Sequence, residues 1–188
     1  AEHGADAVAA YLGNPNVHSL GALTHGVNLV RTIKSRNTFS ATSVDQLPHH
    51  LNAMLLYGHQ FLLPVPDIDR TQLLVLIGNN PMASNGSMMT VPDFPGRLRE
   101  LKARGGRLVV LDPRRTETAK VADAHHFIRP GADVYLLAAM VQTLFAEGLV
   151  HLGRLAELTN GVDELRAAVQ AYAPEAVAER CGIAAGTI

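Results

Sequence analysis

Three short stretches in the middle of the chain carry the residue types that hold a phosphate, a ribose or a base. The first is Gly78-Asn79-Asn80-Pro81-Met82-Ala83-Ser84-Asn85-Gly86-Ser87, dense in glycine and small side-chain donors. Glycine lets backbone N–H groups approach an anion closely, and Asn and Ser add neutral hydrogen bonds to phosphate or ribose. The plainer alternative is a turn-rich surface loop, because the G-x-G-x-x-G and G-x-x-x-x-G-K-[ST] fingerprints are both absent. The second stretch is Asp112-Pro113-Arg114-Arg115-Thr116-Glu117-Thr118. A carboxylate at a strand end is placed to hold ribose hydroxyls, and arginines suit phosphate pairing or base stacking. Its alternative is a helix cap, with Asp and Thr satisfying free N–H groups. Two arginines in a first helical turn oppose the helix dipole, which favours the binding role. The third stretch, Pro130-Gly131-Ala132-Asp133, taken alone reads as an N-cap at Asp133. The sharper reading is that this carboxylate accepts both donors of guanine's Watson–Crick edge as a bidentate pair.

The elements that must position these stretches follow from apolar patterning. Val8 to Leu12 reads as a short strand ending in the turn cluster Gly13-Asn14-Pro15-Asn16. From His18 to Arg31, Leu20, Leu23, Val27 and Val30 recur at helical steps, which predicts a helix with one buried face. Asn37 to Val44 is polar and reads as a loop. Pro48 opens a second helix running to Tyr57, and residues 58–69 form an internal boundary or excursion. Leu73 to Ile77 and Leu108 to Leu111 are unbroken apolar runs, which predicts central strands buried on both faces. Between them, Pro95 to Arg104 is helical in pattern and stops at Gly105-Gly106. His125 to Ile128 is a further short strand, and Val134 to Phe145 a long helix. This order, with short connections, predicts an α/β fold with a mainly parallel, Rossmann-like sheet flanked by helices. Residues 151–188 read as a helical tail. The expected division is 1–68, an α/β segment, then 69–150, the nucleotide-binding unit, then the tail.

Other chemistry is mostly excluded. The chain has 188 residues, 18% charged and 47% hydrophobic, with formal net charge −1, so a basic nucleic-acid footprint is absent. No apolar run reaches about 18 residues, so no membrane-spanning helix is expected. The first ten residues lack a basic-then-apolar leader pattern, and a cytoplasmic location is the expectation. Nine histidines are scattered without an H-x-x-x-H pair, and adjacent His49 and His50 point about 100° apart on a helix, so a zinc site is not expected. The single Cys181 excludes an internal disulfide and an iron–sulfur cluster built from these residues. The chain begins on Ala-Glu-His, which reads as a piece of something larger.

Taken together, Leu76-Ile77-Gly78-Asn79-Asn80-Pro81, Gly106 to Ala119 with its Asp112-Pro113-Arg114-Arg115-Thr116, and Ile128-Arg129-Pro130-Gly131-Ala132-Asp133 form a specific series. The series resembles the molybdopterin-guanine-dinucleotide oxidoreductases of the dimethyl-sulfoxide-reductase superfamily, which includes formate dehydrogenases and nitrate reductases. The likeness covers nearly the whole chain, with Tyr11 to Pro15 and Ser43 to Pro48 adding to it. It implies a bis-molybdopterin guanine dinucleotide with molybdenum or tungsten, and a fold part that holds the guanosine half of one cofactor. It places Gly78, Asn79, Asn80 and Ser84 along that dinucleotide, Asp112, Pro113 and Arg114 around ribose and base, and Gly131 and Asp133 on the guanine edge. The protein ligand to the metal in this family comes from a loop corresponding to residues ~40–48, which makes Asp45 the first choice and Ser43 the second. Asp45 also reads as a cap just before Pro48. The family's four-cysteine segment and its second dinucleotide-binding domain have no counterpart in these residues.

Two functions of different class follow. One is the central cofactor-binding portion of such an oxidoreductase, working with the enzyme's remaining domains on a small-molecule redox substrate, with no nucleic acid and no membrane span. The other is a non-catalytic nucleotide-binding module using the same sheet. The isolated chain is expected to be inactive, with weak affinity for guanine nucleotides at best.

Overall fold

The computed structural model describes residues 2–13, 16, 19–86 and 91–188. Asn14, Pro15 and His18 of the early segment and Ser87 of the first donor-rich stretch lie outside the described residues, as does the side chain of Ser43. The chain forms two compact units, Ala1–Pro64 and Val65–Ile188.

In the first unit, strand β1 (Ala10–Leu12) leads through a π-helical stretch, Ala22–Gly26, into helix α1 (Val27–Ile33). The chain returns as β2 (Thr38–Ser40), paired parallel to β1 with Tyr11 opposite Phe39. The polar segment 37–44 is therefore not a loop throughout. Thr38 and Phe39 suit a strand, and its backbone groups pair with β1 beginning with Ala10 N–H on the Asn37 carbonyl at 2.8 Å. A 3-10 turn, Ala41–Ser43, follows, capped by Ser40, and then α2 (Leu47–Tyr57) with Pro48 in its first turn. The helical spacing of Leu20, Leu23 and Val27 yields the expected helix but not the expected buried face. All three are at least half exposed, and only His50 and Ala53 are buried among this unit's described residues. A two-stranded sheet with one crossover is too small to cover both faces of its own helices.

The second unit is a parallel sheet of β3 (Leu73–Ile77), β4 (Arg107–Leu111) and β5 (Ala124–His126), in that spatial order. Between β3 and β4 lie the single helical turn α3 (Pro81–Ser84) and α4 (Phe94–Ala103); α5 (Glu117–Val121) connects β4 to β5. Helix α6 (Asp133–Ala146) follows the sheet, and α7 (Val162–Val169) and α8 (Pro174–Cys181) form the tail. One core joins Leu74, Leu76, Leu108 and Val110 of the sheet to Phe94, Leu98 and Leu101 of α4. A second joins Leu111 and Ile128 to Leu136 and Ala139 of α6 and Val177 and Cys181 of α8.

Strand β4 is central and covered on both faces, as its apolar run predicts. β3 is not. It is an edge strand of the described sheet, with Leu73 56% and Val75 38% exposed, alternating with the buried Leu74 and Leu76. The reason is coverage: α4 packs over one face, whereas on the other face only Ile77, at the carboxyl end, reaches the core under α6 and α8. Among the described residues no helix is long and apolar enough to cross a membrane.

Candidate functional site

Strand register brings the strand exits that lead to the three stretches to one end of the sheet. Ile77, Leu111 and His126 stand abreast, so the chain leaves all three strands at the same end of the sheet. Two backbone bonds tie these exits together: Gly78 N–H donates to the Leu111 carbonyl at 2.9 Å, and Asp112 N–H to the His126 carbonyl at 3.2 Å. In open parallel sheets this carboxyl end is where ligands lie.

At the first exit, Gly78 is exposed and left-handed at φ +62°, with open space where a Cβ would stand. Asn79 and Asn80 are half-buried. The Asn80 amide faces inward to α5: its Oδ1 accepts from Thr118 N–H at 3.1 Å and Thr118 Oγ1–H at 2.7 Å, and its Nδ2 donates to Glu117 Oε2 at 2.8 Å. Thr118 Oγ1 in turn accepts from Met82 N–H at 3.1 Å. The donor-rich stretch is thus no open loop up to Ser84. Pro81 is buried and starts one helical turn, and the Asn80 carbonyl takes the N–H groups of Ala83 and Ser84, both at 3.0 Å. Ser84 itself is exposed.

At the second exit, Asp112 is 8% exposed, and its Oδ1 accepts from Arg114 N–H at 2.8 Å. Its carbonyl accepts from His125 Nε2 at 3.0 Å. Pro113, Arg114 and Arg115 are exposed. The arginines do not occupy a first helical turn: α5 begins at Glu117, capped by Thr116 Oγ1 accepting from Ala119 N–H at 3.1 Å. Their opposition to the helix dipole is therefore no argument for binding, and Thr116, not Asp112, is the cap. The Asn80 amide beside Glu117 holds its carboxyl below the usual range.

At the third exit, Gly131 is exposed and left-handed at φ +78°, again with open space where a Cβ would stand. Asp133 is half-buried at the first position of α6. It is not the N-cap. Ala132 holds that place, its carbonyl taking Tyr135 N–H at 3.1 Å and Leu136 N–H at 3.3 Å, and no side chain caps the helix. The Asp133 carboxylate makes no hydrogen bond to a described residue. Its charge reaches the Cys181 thiol, which burial first, and Asp133 second, push up from its usual range.

In the first unit, Asp45 sits exposed in the turn before α2, its N–H on the Ala41 carbonyl at 3.0 Å. It does not cap α2, whose N-cap is Gln46 without a side-chain bond. Asp45 lines a cleft of about 510 Å³ together with Leu12, Leu23, Val27, Ser40 and Thr42. No group of three His, Cys, Asp or Glu side chains that could hold a metal occurs among the described residues. Sequence reasoning missed Thr118, Glu117 and His125 as the residues that tie these exits together, because such bonds depend on register between strands far apart in the chain.

The profile of the molybdopterin oxidoreductases matches residues 1–171. The chain belongs to this family. Formate dehydrogenase H of Escherichia coli (strain K12) is 33% identical over 124 residues, 66% of this chain and 16% of that protein. The thiosulfate reductase molybdopterin-containing subunit PhsA of Salmonella typhimurium is 28% identical over an alignment of 193 residues, covering this whole chain and 23% of the relative. Among solved structures, acetylene hydratase from Pelobacter acetylenicus superimposes with a TM-score of 0.67 at 28% identity, over 89% of this chain and 22% of its own. The chain thus spans less than a quarter of the length of each of these three proteins. The residues at the strand exits are compatible with a molybdopterin cofactor: a Cβ would meet nothing within 4 Å at Gly78 or Gly131, and the half-buried Asp133 carboxylate accepts no hydrogen bond from a described residue.

Proposed function

We propose that the chain holds the guanosine half of one cofactor in a bis-molybdopterin guanine dinucleotide oxidoreductase of the formate dehydrogenase-like kind. The observation that carries this reading is the Asp133 carboxylate, half-buried at the ligand end of a parallel sheet and bonded to no described residue. Two donors on one base edge match its two oxygens. Gly131 leaves the backbone open two residues before it and Gly78 leaves it open at the exit of β3, Asn79 and Ser84 supply neutral donors, and Asn80 fixes the turn that presents them. Asp112, Pro113 and Arg114 surround ribose and base, with the Arg114 guanidinium exposed for phosphate or stacking.

In this reading, residues 69–150 are the dinucleotide-binding unit, residues 1–68 carry the metal-site loop, and the tail supports the third exit. Asp45 is the protein ligand to molybdenum or tungsten, with Ser43 the alternative; a carboxylate oxygen is a suitable hard donor for either metal. The bound group supplies the redox centre, and this chain's part is to bind and orient it with the enzyme's remaining domains. The relatives' names refer to formate, thiosulfate and acetylene, so the family alone does not name the small-molecule substrate.

The test is elemental and nucleotide analysis of the full-length protein. The expected result is molybdenum or tungsten together with guanosine monophosphate released on acid hydrolysis. Protein purified without metal or pterin from cells that make both would instead mark a non-catalytic nucleotide-binding module. Asp45→Ala is expected to lower metal content while leaving released guanosine monophosphate near the parent level, because the two lie on different units of the chain.

A further inference from the structure

The third exit is gripped from below by the end of α8. Arg129 N–H donates to the Cys181 carbonyl at 2.8 Å, and the Cys181 thiol lies 3.9 Å from the Ala132 carbonyl. The next residue, Gly182, closes α8 in the left-handed conformation at φ +74°, and the Arg129 stem lies across it. A Cβ on Gly182 would stand 3.2 Å from Arg129 Cγ and 3.6 Å from its Nε. Beneath, Val177, Cys181 and Ile183 pack with Ile128, Ala132 and Leu136. The segment that leads into Asp133 is therefore held at both ends, at Arg129 and at Ala132, by two consecutive residues of the tail.

Resting on the proposed role of Asp133, we infer that Cys181-Gly182 is a positioning element that sets the place of the Asp133 carboxylate and with it the preference for guanine. Bidentate recognition of a base edge is sensitive to shifts of a few tenths of an ångström, since both bonds must keep length and angle together. A side chain at Gly182 pushes on Arg129, and the displacement passes along a four-residue segment into α6. The left-handed turn tolerates Asn, whereas the Arg129 seat tolerates no Cβ without yielding.

The experiment uses the full-length protein freed of cofactor, with GDP and ADP as probes. The parent is expected to bind GDP about tenfold more tightly than ADP. Gly182→Asn is expected to reduce that ratio about fivefold. The control is Gly161→Asn at another left-handed glycine of the tail, φ +85°, where a Cβ meets nothing within 4 Å. It carries similar backbone strain and is expected to leave the ratio unchanged whatever it does to thermal stability. Arg129→Ala, at an exposed side chain, removes the stem from its seat and serves where Gly182→Asn does not fold; it too is expected to lower the ratio. Parent-like ratios in the folded variants would overturn the inference. Asp133→Asn separates the two claims: a parent-like ratio there defeats the Asp133 reading itself, whereas loss there with no effect of Gly182→Asn or Arg129→Ala defeats only the positioning role.

Discussion

The side-chain oxygen of Asn80 accepts both hydrogens that Thr118 offers, its backbone N–H at 3.1 Å and its hydroxyl at 2.7 Å. The two residues are 38 positions apart, and the pair joins the exit of β3 to the start of α5. Asn80→Ala leaves the N–H of the buried Thr118 without an acceptor and is expected to cost about 1–3 kcal/mol, read as a lower unfolding temperature. Asn80→Asp keeps the acceptor but sets a second carboxylate against Glu117. It is expected to be destabilising at neutral pH and to recover in part in acid, the opposite trend to the parent.

A second expectation concerns acid. Asp123 accepts from Leu108 N–H at 2.7 Å and from Lys102 Nζ at 3.1 Å, and these, the amide first, hold its carboxyl below the usual range. A carboxyl lower in the folded state than in the unfolded one contributes stability above its unfolded pKa, and that contribution fades as pH falls through the folded value. The loss should therefore begin below about pH 4–5. Thermal unfolding of Asp123→Asn is expected to show a flatter acid limb than the parent and a lower plateau at neutral pH. Parallel curves would remove Asp123 from the account of acid stability.

How far the helices cover each strand decides how legible it is in the sequence. Leu108 to Leu111 reads as a doubly covered strand and is one, because α4 and α6 lie close in sequence to the strand they cover. Leu73 to Ile77 has the same composition but only one covered face, since composition does not say how far α6 and α8 reach across the sheet. Thr38 to Ser40 reads as polar loop because a short strand in a small, exposed pair has no apolar alternation to show. Gly78 and Asp112 stand out in the sequence by residue type directly after apolar runs, and register sets the exits of their two strands side by side. The Asn80–Thr118 pair and the Arg129–Gly182 seat are not legible there, because each joins segments whose approach only the fold determines.

Cys181 gives a third prediction. Its side chain is fully buried, and burial, then the Asp133 charge, keeps the thiol protonated beyond its usual range. Thiolate is the reactive form, so alkylation in the native protein is expected to be slower than in denaturant by orders of magnitude. Neutralising Asp133 as Asp133→Asn should raise the native rate only slightly, since burial is the larger cause. Rapid native labelling at Cys181 would show that α8 opens readily.

The last prediction separates the two roles weighed for Asp133. As an N-cap, Asp and Asn are nearly equivalent, so Asp133→Asn would leave stability and cofactor content unchanged. The structure removes that role, because Ala132 occupies the cap and no side-chain bond closes the turn. Asp133 still stands at the first position of α6, where a negative charge is worth about 0.3–1 kcal/mol against the helix dipole. Asp133→Asn is therefore expected to lower the unfolding temperature slightly even without cofactor. On guanine the effect is larger. An amide offers one acceptor and places a donor against a donor, so one charged hydrogen bond is lost and the other weakened, at roughly 1.5–3 kcal/mol. Guanosine monophosphate released per full-length protein is expected to fall well below the parent level, with Asp133→Glu recovering part of it. Parent-level release from Asp133→Asn would leave Asp133 with the dipole contribution alone and send the search for the guanine partner to Asp112.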